Sequence, residues 1–281
     1  MDYIRVKHSF NAGDLITVMA GLRQMSQDKG VKVKLFQRLD LPAFYYDGQI
    51  NATTDKDGQS VCMNENMFYK LKPLIESQDY IESFEVWEGQ DVHLNFDVTR
   101  DSRATPMPNG TLYSWNESIF PEAATDLSIP WLNVDNNSIK RDYYKDKIII
   151  NRTQRYINPY IDYYFLKDYE DVVLFSGTDD EHTAFCSQWN LNLKKLEVNN
   201  FYHLAQIISW SKFGIYNQSM NFHIADALKA PRILELCGQF PNTFITGANG
   251  FQFYKGEAMR FYFNKLNNLC STENSSTMKH K

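Results

Sequence analysis

Much that marks familiar protein classes is missing from this chain. No Cys-x-x-Cys pair occurs, and Cys62, Cys186, Cys237 and Cys270 stand far apart. That spacing excludes a zinc ribbon, and four cysteines are too few for a secreted disulfide scaffold, so free thiols in a reducing compartment are expected. The histidines show no His-Glu-x-x-His or other paired-ligand spacing, and no metal is expected. A strand-linked Gly-x-Gly-x-x-Gly is absent, as is a Walker loop, which argues against dehydrogenases and ATPases. No Gly-x-Ser-x-Gly elbow marks a hydrolase. No apolar run approaches the roughly 18 residues that cross a bilayer, and Met1–Arg5 lacks the apolar core of a signal peptide. The expectation is a cytoplasmic protein without a membrane span, in which the sequons at Asn51 and Asn136 have no role. A net charge of −5 and a pI near 5.7 disfavour a nucleic-acid partner gripped through the whole surface.

What is present points to an α/β protein. The 281 residues, 43% of them hydrophobic, allow two modest domains with real cores. Tyr3–Lys7 alternates apolar and polar as a half-buried strand does. Asn11-Ala12-Gly13-Asp14 supplies cap chemistry, and Leu15, Ile16, Met19, Leu22 and Met25 then recur at helical spacing up to Gly30. Val31–Phe36 alternates again, completing a strand–helix–strand unit that implies a parallel sheet. Met63–Ser77 reads as a helix kinked at Pro73, with strands expected at 83–87 and 92–98. Residues 100–140 give no clear period and suit loops that reach a ligand.

The second half alternates more plainly. Strands are expected at 147–151, 171–177, 213–216 and 232–236. Asp179 is expected to cap a helix running to about Trp189, and further helices are expected around Leu204–Ile208, over 219–229 and near 257–269. The expectation is two Rossmann-like parallel-sheet halves facing a cleft: an acceptor-side domain over 1–143, a nucleotide-binding domain over 144–270, and a disordered tail over 271–281.

The most informative segment is Asn217–Leu228, where a strand ends and a helix begins. Open α/β sheets bind ligands there, and the unpaired N–H groups of a helix start suit a phosphate. Ser219 can cap the helix or donate its hydroxyl to a phosphate oxygen; the alternative is a plain N-cap, with His223 hydrogen-bonded at a domain interface. Ser219, His223, Ala225, Ala227, Leu228 and Pro231 together resemble the C-terminal signature of the ADP-heptose:lipopolysaccharide heptosyltransferases and related GT-B enzymes. Gln218 stands where that family has Asp, and Met220 where it has Gly; the resemblance implies that the donor diphosphate lies against Gln218, Ser219 and the N–H groups after them, with Met220 and His223 in the same site.

The resemblance implies further roles. Asn11-Ala12-Gly13-Asp14 is similar to the family's Gly-Asp after the first strand, which makes Asp14 the candidate general base for an acceptor hydroxyl. Arg152 and Arg155, past the first strand of the second half, would clamp the diphosphate. Gly177 resembles a glycine turn beside the nucleotide, and Glu235 would reach a ribose hydroxyl. The implied function is an inverting, metal-independent glycosyltransferase using a nucleotide-sugar donor as substrate, with no separate cofactor, and a saccharide or other hydroxyl acceptor. Three alternatives stay open: a non-catalytic nucleotide- or sugar-binding protein, a glycosyltransferase acting on a modified DNA base, and a nucleoside-phosphate enzyme with another leaving group. Asp55-Lys56-Asp57 matches a metal-holding Asp-x-Asp but reads as a solvated turn.

Overall fold

A computed structural model describes residues 2–45, 49–107, 109–135 and 140–277, with side chains as far as 268. The sequon at Asn136, the boundary residue Ile139 and the last four residues lie outside these.

The first half opens with β1 (Tyr3–His8), α1 (Ala12–Lys29), β2 (Lys32–Gln37), α2 (Glu65–Glu76), β3 (Ile81–Val86) and β4 (Leu94–Asn95). All pair in parallel, in the order β3-β2-β1-β4. Leu15, Ile16, Met19, Leu22 and Met25 are buried as their spacing requires, each contributing about 1.5–3 kcal/mol. Gly30 ends α1 in the left-handed region at φ 63°, a conformation glycine adopts without strain. Residues 87–93 cross from β3 to β4 without a helix, and the Lys7 ammonium sits 3.9 Å from the Trp87 ring centroid. The expected strand over 92–98 is cut short: the Asn95 side chain accepts from Asp97 N–H at 3.1 Å and starts a 3-10 turn over Phe96–Arg100. The segment without a clear period holds α3 (Leu112–Ile119) and a short turn at Pro121–Ala123, and α4 (Arg141–Tyr144) follows it. At Asp55, Oδ1 accepts from the N–H groups of Asp57 and Gln59, the turn expected there.

The second half contains β5 (Ile148–Asn151), β6 (Val173–Phe175), α5 (Asp179–Trp189), β7 (Lys194–Lys195), α6 (Phe201–Trp210), β8 (Phe213–Tyr216), α7 (Met220–Leu228), β9 (Arg232–Glu235), β10 (Gly250–Phe253) and α8 (Gly256–Thr277). Its parallel sheet runs β10-β9-β8-β5-β6-β7. Helix α8 extends past Leu269, into the polar stretch expected to be a tail. Both faces of this sheet are covered, so its strands read as continuous apolar runs. Alternate side chains serve different cores: Ile149, Leu174 and Leu234 join one cluster, while Ile148, Ile150, Val173, Phe175 and Ile233 join the other. The first of these clusters continues through α6 and α7 into α1, α2 and the smaller sheet, so the halves share a core.

Candidate functional site

Strand order reverses between β5 and β8 in the large sheet and between β1 and β4 in the small one. A crevice at the carboxyl end of such a switch point is where open α/β sheets hold ligands. In the large sheet that edge carries Asn151 and the loops that start at Arg152 and Asn217.

These loops are tied together by side-chain amides. The Asn217 Oδ1 accepts from Thr153 N–H at 3.1 Å, and its Nδ2 donates to the Arg155 carbonyl at 2.7 Å. Asn151 donates through Nδ2 to the Ser176 carbonyl at 2.5 Å and accepts the Ser219 hydroxyl at Oδ1, also at 2.5 Å. Asn221 at the start of α7 donates to Ser176 Oγ at 2.8 Å. Gly177 lies at the same edge; a Cβ there would come within 2.7 Å of the Phe175 ring and 2.8 Å of the Glu181 carboxylate.

Several of the expected site residues are bonded within the protein. Ser219 occupies the N-cap position of α7, but its side chain makes no cap bond; its proton is committed to Asn151 and is not offered outward. Gln218 is buried and fully used: Oε1 accepts from Cys237 N–H at 2.8 Å, while Nε2 donates to the Phe240 carbonyl at 2.7 Å and to Asn242 Oδ1 at 2.9 Å. It pins the loop after β9 and offers no amide to a ligand. Arg152 and Glu235 meet each other. The guanidinium grips the carboxylate at 2.9 and 3.0 Å, and Glu235 also accepts from Asn158 N–H at 2.7 Å and the Tyr163 hydroxyl at 2.6 Å. Burial opposes the Arg152 charge, but adjacent Glu235 holds it above its ordinary value. With 3% and 0% side-chain exposure, the two groups are buried against each other.

Arg155 is different. It pairs with no carboxylate among the described residues. It instead crosses to the first half, donating to the Tyr45 hydroxyl at 2.5 Å and to Asn51 Oδ1 at 2.9 Å. Tyr45 in turn donates to Asn11 Oδ1 at 3.1 Å. Asn11 is the N-cap residue of α1, and with its side chain so engaged it makes no cap bond. Thus α1 and α7 both start without a side-chain cap, whereas α2, α3, α5 and α6 are capped by Asn64, Thr111, Thr178 and Asn200.

The two uncapped helix starts lie side by side. A Cβ on Gly13 would stand 2.7 Å from the His223 ring, and His223 Nδ1 bonds the Thr17 hydroxyl at 3.1 Å. Gly13 is therefore needed for close approach, and His223 is an interface residue. Burial drops its pKa to about 4, so it is neutral at pH 7. Met220, in the first turn of α7, packs half-buried against the shared core. Asp14, in the first turn of α1, pairs with Arg100. That guanidinium lies 5.2 Å from the Phe10 ring centroid and 4.9 Å from that of Trp115. Burial lowers the Arg100 pKa from its ordinary value to about 10. The roles of Arg100 and Tyr45 were not foreseen: one sits in the stretch without a period, the other in a loop with no motif.

Compared with solved structures, the chain is similar over most of its length to three glycosyltransferases. They are the glycosyl transferase family 9 protein of Veillonella parvula (12% identity, TM-score 0.57, covering 95% of this chain and 97% of that one), the E. coli ADP-heptose LPS heptosyltransferase II (11%, 0.56, 96% and 99%), and E. coli heptosyltransferase WaaC with ADP-2-deoxy-2-fluoro heptose (9%, 0.52, 94% and 99%). The fold is thus of the GT-B glycosyltransferase type. No protein-family model matches the sequence, and no curated protein matches it. No described helix is long and apolar enough to cross a membrane.

Proposed function

We propose that this chain is an inverting, metal-independent glycosyltransferase, with a nucleotide-diphosphate sugar on its second half and a hydroxyl acceptor on its first. One observation carries the reading: Ser219 turns its hydroxyl to Asn151 and leaves the start of α7 without a side-chain cap at the switch point. The first N–H groups of a helix, together with its dipole, favour an anion there. Arg155, tied to the same edge through Asn217 and without a carboxylate partner among the described residues, is the cation suited to the second phosphate. The donors of the similar heptosyltransferases, ADP-linked by their names, are of this chemical class.

On the facing half, Asp14 is the group to take the acceptor proton as the hydroxyl attacks the anomeric carbon. The nucleotide diphosphate leaves toward α7 and Arg155, which stabilise its developing charge. Arg152, Gln218 and Glu235 act behind this surface by holding the loops in place.

The pairing of Asp14 with Arg100 favours a second reading, a nucleotide-binding protein without catalysis. Thermal unfolding against UDP, GDP, ADP and CMP ligands separates both from failure. A ligand at 100 times its dissociation constant stabilises the fold by about 2.7 kcal/mol. A shift with sugar release that Asp14→Asn abolishes supports the transferase. A shift with no sugar release leaves the binding protein, and no shift at millimolar concentration removes both.

A further inference from the structure

His8, at the end of β1, is buried to 1% exposure and belongs to no motif. Its Nδ1 lies 2.8 Å from Gln37 Oε1. The Gln37 amide is oriented by its own donors: Nε2 donates to the Arg38 carbonyl at 2.9 Å and to the Phe10 carbonyl at 3.3 Å. Oε1 is therefore the acceptor, and the proton of a neutral His8 must sit on Nδ1. Burial keeps the ring neutral at pH 7. The remaining ring nitrogen, Nε2, then carries a lone pair, and it has no hydrogen-bond partner among the described residues. A buried polar atom left so calls for an explanation.

The explanation lies in what His8 lines. A cavity at the carboxyl edge of the small sheet is bounded by His8, Phe10, Asp14, Arg100 and Trp115, with Asn116 beside them. With Nδ1 engaged, the atom His8 has left for a ligand is Nε2, which can only accept. An anionic group has no proton to give it, and an ammonium would be opposed by Arg100. A neutral hydroxyl fits. One hydroxyl has one proton, so it cannot serve both Asp14 and His8; two proton acceptors on one cavity call for two hydroxyls.

We propose that His8 Nε2 binds a second hydroxyl of the acceptor, next to the one that faces Asp14, so that the chain selects acceptors with adjacent hydroxyls. This rests on the transferase reading for the identity of the acceptor, but the site can be tested without it. In a long-range proton–nitrogen spectrum of 15N-labelled protein, the His8→Asn variant assigns the ring; Asn also keeps a donor for Gln37. The free protein is expected to show Nδ1 protonated and Nε2 bare. Methyl hexopyranosides should then move the Nε2 resonance saturably, while ethanol at equal hydroxyl concentration does not. A ring protonated on Nε2, or an Nε2 resonance that no glycoside moves, overturns the proposal. If His8→Asn does not fold, the same resonance is assigned by His8→Gln.

Transfer to a methyl glycoside gives a second readout. Losing one hydrogen bond to the acceptor should raise its KM roughly tenfold in His8→Asn, with the nucleotide-induced thermal shift retained. An unchanged KM overturns the proposal. A wild-type protein with no nucleotide shift removes the transferase reading instead, and the glycoside spectrum still decides on His8.

Discussion

The two halves repeat one plan, a parallel sheet reversing beside its first strand, yet finish the switch point differently. In the large sheet the polar groups at the edge satisfy one another: Asn151 with Ser219, Asn217 with the Thr153–Arg155 loop, Gln218 with the loop after β9, and Arg152 with Glu235. In the small sheet Asp14 and Arg100 line a cavity beside a histidine nitrogen with no partner among the described residues. Internal satisfaction fixes backbone positions, so the groups of the first edge left outside these pairings are the uncapped start of α7 and Arg155, which has no carboxylate partner among the described residues. The second edge presents side chains. That division suits a phosphate, bound by backbone donors, on one half and a hydroxylated molecule on the other.

Breaking the internal pairs should have the largest effect. Glu235→Ala leaves the Arg152 guanidinium, the Asn158 N–H and the Tyr163 hydroxyl without their shared acceptor. A stability loss of about 3–5 kcal/mol is expected in urea unfolding; a loss below about 1 kcal/mol would mean that the pair is not the anchor described.

Acid should reveal the two buried histidines next. His8 and His223 are both lowered by burial from 6.5 to about 4. Above pH 6.5 neither state is protonated and their stabilisation is complete. As pH falls toward 4 the unfolded chain takes up the protons first, so stability drops, by an amount on the order of 3 kcal/mol per histidine. His223→Gln should flatten the curve of unfolding free energy against pH in that window. An equal slope in wild type and variant would show that His223 is not buried neutral.

The close contact between helix starts is sharpened by Gly13→Ala, whose new Cβ would meet the His223 ring at 2.7 Å. Overpacking of this kind costs about 1–3 kcal/mol, read as a lower urea midpoint. A variant as stable as wild type would mean that α1 and α7 can part freely.

The architecture was legible in the sequence because period and punctuation agreed. Alternation in Tyr3–Lys7, helical spacing from Leu15 to Met25 and the stop at Gly30 describe β1 and α1 almost to the residue. Thr178 and Glu181, three apart, form a capping box, so α5 is capped by Thr178, one residue before the Asp179 expected to cap it. The two-residue strands β4 and β7 are too short to show a period. The site was half legible. Asp14, Ser219 and His223 do gather where two helices begin, but a sequence does not say which way a polar side chain turns. Arg152 and Arg155 look alike in it, and only the position of Glu235 on β9 separates a buried pair from an open cation. Gly13-Asp14 reads as one motif, yet Gly13 serves packing and Asp14 the cavity.

The smallest effect on stability is expected from Arg155→Ala, which loses bonds to Tyr45 and Asn51 at a half-buried position. Its unfolding free energy in urea should fall by less than about 1 kcal/mol, while its nucleotide-induced thermal shift should be largely lost. A full nucleotide response in this variant would move the phosphate site away from Arg155.

The central claim is that the uncapped start of α7 receives the diphosphate, and amide resonances test it most directly. With protein 15N-labelled at methionine and phenylalanine, the Met220 and Phe222 amides report the first turn of α7. Titration with the nucleoside diphosphate that gives the largest thermal shift should move both resonances saturably and with one dissociation constant. Movement confined to other methionines and phenylalanines, with Met220 and Phe222 unmoved at saturation, would contradict the account.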